Sequence, residues 1–117
     1  MEYEIKITPN RVGRDTAYDV ELYLPCEDES IDLPHPAFKN CSTMIRGEFL
    51  NFNNGDYCYN TDMIFYTFRI LSNSRNPVVL MQNLETEIRD SIQTIWNNYK
   101  LNSTPLPQPS TSKITLI

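Results

Sequence analysis

Two strand-rich stretches followed by one long amphipathic segment predict an α+β fold, a four-stranded antiparallel sheet of two hairpins backed by a single C-terminal helix. Three observations carry that prediction: strict alternation near the N-terminus, an Asn-Gly turn between two apolar runs, and a three-to-four-residue apolar period after residue 76. The length of 117 residues suits one domain, and 40% hydrophobic with 21% charged residues is too apolar for intrinsic disorder.

Residues 2–8 place Tyr3, Ile5 and Ile7 on one side and Glu2, Glu4, Lys6 and Thr8 on the other. Residues 16–24 repeat the pattern, with Tyr18, Val20, Leu22 and Leu24 opposed by Asp19, Glu21 and Tyr23. Each reads as a strand with one wet face, and Pro9, Asn10 and Gly13 supply turn chemistry between them. Residues 25–41, with Pro25, Pro34 and Pro36 and no sustained apolar period, read as a long loop carrying an acidic run over 27–32.

The second hairpin is expected from residues 42–52 and 57–71 around Asn53-Asn54-Gly55-Asp56, because Asn-Gly suits both left-handed positions of a type I′ turn. A two-residue Asn54-Gly55 loop would pair Phe52 with Tyr57, Leu50 with Tyr59 and Arg46 with Met63. The helix is expected to begin with Asn76 as cap and Pro77 in the first turn. It would bury Leu80, Met81, Leu84, Ile88, Ile92, Ile95, Trp96 and Tyr99 and end between residues 98 and 102. The domain thus covers residues 1–102. Residues 103–112 form a Pro/Ser/Thr-rich linker, and residues 113–117 are a β-prone tail that can supply a fifth strand.

Composition narrows the function. A net charge of −5 disfavours nonspecific nucleic-acid binding, and the longest aliphatic run, Val78-Val79-Leu80-Met81, is too short to cross a bilayer, so no membrane partner is expected. The start Met1-Glu2-Tyr3-Glu4 lacks the basic and apolar regions of a secretory leader, and a cytoplasmic location is expected. Cys26, Cys41 and Cys58 form neither a compact metal knuckle nor a Cys-x-x-Cys pair, and His35 is the single histidine, bounded by prolines. No metal, cofactor or catalytic residue is therefore assigned. With Gly13, Gly47 and Gly55 as the three glycines, no glycine-rich phosphate loop exists.

One helix covers one face of a sheet, whereas residues 63–71 are apolar on both. Ile64, Tyr66, Phe68 and Ile70 are accordingly expected to form an interface unless the 25–41 loop, pinned by Pro34, Ala37 and Phe38, or the C-terminal segment covers that face, with Ile114 and Leu116 of the tail offering a second route to association. The function this implies is a small acidic, non-enzymatic protein-interaction module, an inhibitor or adaptor, that forms a homo-oligomer or docks a protein partner. The alternative is a nucleotide or other small anionic ligand held at an oligomer interface by Arg46, Tyr57, Tyr59 and Arg69, where guanidinium meets phosphate and phenol meets base.

Overall fold

The computed structural model describes residues 1–27, 30–103 and 105–117, with residues 27 and 30–32 described by their backbone. It is α+β. The strands are β1 (Glu4–Val12), β2 (Asp15–Glu27), β3 (Ser30–Pro34), β4 (Ser42–Ile45), β5 (Glu48–Asn51), β6 (Asp56–Cys58) and β7 (Met63–Ser72), followed by the helix α1 (Pro77–Ser103). Five strands form the main antiparallel sheet in the order β1-β2-β7-β6, with β3 pairing β2, while β4 and β5 make a separate two-stranded hairpin.

The first hairpin forms as expected but is longer, because its turn is only Gly13-Arg14 between the paired residues Val12 and Asp15. Gly13 has φ +61°, the left-handed first position that a type II′ turn reserves for glycine. Pro9 therefore lies within β1, opposite Tyr18, a position open to proline because β1 is the sheet edge.

The second hairpin is a correction. Residues 42–52 do not pair with residues 57–71; they fold on themselves as β4 and β5, with Met44 opposite Phe49. The turn is Arg46-Gly47, with φ values of +48° and +85°, so the two left-handed positions of a type I′ turn fall eight residues earlier than the Asn-Gly signal suggested. Gly55 itself is extended, with φ −82°. Its purpose is proximity: a Cβ there would lie 2.3 Å from Ile64 Cγ2 and 2.6 Å from the Tyr66 ring. Asparagines order the approach, since Asn53 accepts from the Asn40 amide at 3.0 Å and donates to Asn40 Oδ1 at 3.2 Å.

The true partner of β7 is β2, in an unbroken register from Thr16 with Ser72 to Pro25 with Met63. The short β6 pairs only with the start of β7, after the chain turns at Asp62, whose amide donates to Cys58 O at 2.9 Å. The expected long loop supplies the fifth strand, β3, through Cys26 opposite Pro34. Of the acidic run over 27–32, residues 28 and 29 and the side chains of the rest lie outside what the structure describes. The tail does not supply a strand: residues 105–117 belong to no helix or strand, and Ile114 and Leu116 are 87% and 96% exposed.

The helix begins where expected. Asn76 Oδ1 accepts from the Val79 amide at 3.2 Å, satisfying one of the first-turn donors, and Leu80, Leu84, Ile88 and Ile92 are buried. They meet Tyr18, Val20, Leu22 and Leu24 of β2 and Ile64, Tyr66 and Ile70 of β7 in one core. Beside the helix, the same sheet face is covered by residues 37–52. Phe52 stacks 5.5 Å from Phe38 and 5.4 Å from Tyr66, and the Tyr66 hydroxyl donates to Phe52 O at 2.6 Å. Burial pushes the Tyr66 phenol pKa up, since its ionised form would lose solvation.

Candidate interaction groove

Ile64, Tyr66 and Ile70, expected to form an interface, are interior: residues 37–52 and the helix lie side by side over their face, and Phe68 packs partly buried against the same core. An inserted hairpin does the covering that the sequence reading assigned to a second chain. The opposite face of the sheet is wet, with Asp19 accepting from Arg69 Nε at 2.6 Å and from Asn10 Nδ2 at 2.6 Å.

The four ligand candidates do not converge. Arg46 sits in the type I′ turn and donates to Glu87 of the helix at 2.8 Å, while Arg69 is held by Asp19 on the solvent face of β7. The guanidinium of Arg69 keeps the Asp19 carboxyl below its ordinary range. Tyr57 and Tyr59 meet edge to face at 4.9 Å, and the Tyr57 hydroxyl donates to Asp62, which pushes its pKa up to about 12. Each group has a partner in the fold, and the arginines sit on different elements.

The thiols are also dispersed. No disulfide joins them; Cys26 donates to Asp62 O at 3.3 Å and Cys41 to Ala37 O at 3.5 Å, while Thr61 lowers the pKa of the Cys58 thiol by hydrogen bonding. His35 Nδ1 accepts from the Ala37 amide at 3.0 Å, and its ring packs 5.4 Å from Trp96 and 5.5 Å from Tyr99, a wedge between loop and helix. Among the described residues no cluster of three or more His, Cys, Asp or Glu side chains could hold a metal, and no helix is long and apolar enough to cross a membrane.

An open, mostly apolar seam runs between β1 and the start of α1. A groove of about 420 Å³ is lined by Ile5 and Ile7 of the strand and Val78, Met81, Gln82 and Glu85 of the helix. The helical residues stand at i, i+3, i+4 and i+7, one stripe flanking the buried one. Val78 is 65% exposed. The sequence places Met81 in one broad apolar stripe with Leu80, Leu84 and Ile88, and Val78, beside Pro77 and off that stripe, is the residue that marks a second surface.

The groove also has a backbone wall. In a two-residue hairpin the flanking pair, here Val12 and Asp15, exchanges hydrogen bonds, and the pairs alternate from there along the ladder. Asn10, Thr8, Lys6 and Glu4 therefore bond β2, whereas Pro9, Ile7 and Ile5 direct their backbone groups outward. Pro9, which has no N–H to give, falls on the outward side as this parity requires. The N–H and C=O groups of Ile5 and Ile7 border the groove, so the seam combines apolar side chains with an available strand edge. A second exposed apolar pair, Met44 and Phe49, lies across β4 and β5 but forms no comparable concavity with the helix.

No protein-family model, curated protein or solved structure matches the chain.

Proposed function

We propose that this chain is a small non-enzymatic association module that binds a second copy of itself through the β1–α1 groove. The observation that supports the reading is the coincidence of the exposed apolar pair Val78 and Met81, rimmed by Gln82 and Glu85, with the outward backbone edge at Ile5 and Ile7. Edges and exposed apolar concavities are the two features that drive association, and here they adjoin. Three thiols that no disulfide joins suit a reducing compartment, and we place the protein in the cytosol.

Sedimentation velocity of the full chain over a concentration series tests this, with Val78→Glu as the comparison. Val78 is exposed and in the first helical turn, where an added carboxylate suits the helix dipole, so the variant keeps its fold. The wild type is expected to approach twice 13.7 kDa as concentration rises while Val78→Glu stays at 13.7 kDa. A wild type that remains monomeric throughout, or a Val78→Glu that associates equally well, overturns the reading.

A further inference from the structure

We infer that the occupant of the groove is the 113–117 segment of a second copy, added to β1 as an extra strand; this rests on the groove being the association surface. The segment Lys113-Ile114-Thr115-Leu116-Ile117 alternates, so as a strand it turns Ile114 and Leu116 to one side and Lys113, Thr115 and Ile117 to the other. Set against the outward edge of β1, Ile114 and Leu116 extend the row begun by Ile5 and Ile7 and lie over Val78 and Met81. Both are almost fully exposed in the isolated chain, where they have no apolar neighbour to leave.

Charge fixes the direction. In a parallel register, Ile114 beside Ile5 and Leu116 beside Ile7, Lys113 falls next to Glu4 on the wet face, close to Glu2. The antiparallel register would instead set Ile117 beside Glu4. Pro9, which has no N–H to give, ends the outward donor row just beyond Ile7.

Chain length argues for a second copy over the chain's own tail. Ile5, the residue that Ile114 would lie beside, faces Glu85 and Arg89, and the helix carries the backbone about 27 Å from Glu85 to Ser103. From Ser103 to Ile114 the sequence, with Pro105, Pro107 and Pro109, spans at most about 34 Å as a stretched polyproline-type segment. A chain folding back on its own groove must use most of that length and reverse direction at the helix end, and here the tail does not dock: Ile114 and Leu116 stay 87% and 96% exposed. A tail crossing to a partner has no reversal to make, and a two-fold exchange satisfies both grooves at once.

Amide exchange and sedimentation of the full-length chain, wild type and Ile114→Asp/Leu116→Asp, test the inference. These positions are exposed, so the substitutions leave the fold intact. At concentrations where the wild type dimerises, the Ile5 and Ile7 amides are expected to become protected, and the double variant is expected to lose both protection and dimer. Mixing the double variant with Val78→Glu restores one intact tail and one intact groove and should recover a fraction of the dimer. If the double variant dimerises normally while Val78→Glu does not, the groove stands and the tail is not its occupant. Protection of Ile5 and Ile7 in a monomer would show intramolecular return and also overturn the inference.

Discussion

The helix has two flanks, and the chain treats them differently. Toward β4, the flank is closed along the middle of the helix: Thr43 Oγ1 donates to Ser91 Oγ at 3.2 Å, Arg46 pairs with Glu87, and His35 wedges against Trp96 and Tyr99, with a smaller pocket of about 260 Å³ beyond them between Cys41 and Asn98. Toward β1, Ile5 and Ile7 are only half-covered and the seam stays open. The difference arises from what each neighbour brings. The β4–β5 hairpin is an insertion long enough to wrap the helix and roof the sheet, whereas β1 is a single strand at the sheet edge with nothing beyond it among the described residues. The helix is thus covered by its own chain on one side and left open to solvent on the other.

The contrast breaks first in the sealed region. Phe52→Ala removes a fully buried ring held between Phe38 and Tyr66 and is expected to cost about 3–5 kcal/mol in urea unfolding. Ile7→Ala, on the open flank, should cost only about 1 kcal/mol, because much of its surface is already in water. Equal losses would mean that the two flanks are packed alike.

A pair of glycine substitutions sharpens the same point. Gly55→Ala forces a methyl into the Tyr66 ring and Ile64 and should destabilise by about 1–3 kcal/mol, the range for overpacked cores. Gly47→Ala meets no atom within 4 Å, and its penalty, about 1 kcal/mol, comes from φ +85° alone. Thermal melts of the two variants compare crowding with backbone strain.

Smaller effects come from the rim. Arg46→Ala should cost about 0.2–1 kcal/mol, since its pair with Glu87 is well exposed, and the loss should shrink with added salt. Tyr57 offers a pH readout. Its raised pKa means that the fold favours the protonated phenol, so this contribution is whole below the ordinary tyrosine value of about 10 and fades as pH rises toward about 12. An ultraviolet alkaline titration should show Tyr57 ionising late, and an Asp62→Asn substitution should lower its pKa.

Local signals carried much of this architecture. Asn76-Pro77 marked the helix start, and alternation in β1 and β2 marked a hairpin, because capping and side-chain period are written within a few residues. The pairing of β7 with β2 spans the 35 residues between Glu27 and Met63 and leaves no local mark. Asn54-Gly55 misled because glycine serves close approach as well as left-handed turns, and the residues alone do not say which. Reading Ile64, Tyr66 and Ile70 as an interface followed from the same error: with 42–52 assigned to the sheet, only the 25–41 loop, the C-terminal segment or another chain remained to cover that face, and Ala37 and Phe38 of that loop do take part in the cover. The groove was legible only in part, since its helical stripe is in the sequence but its partner strand edge depends on the topology.

The most direct measurement is amide chemical-shift mapping of the full chain across a concentration series. The account predicts that shifts concentrate at Ile5 to Thr8 and at Val78, Met81, Gln82 and Glu85 as association proceeds. Shifts centred instead on Met44 and Phe49, with β1 and the first turns of the helix unmoved, would contradict it.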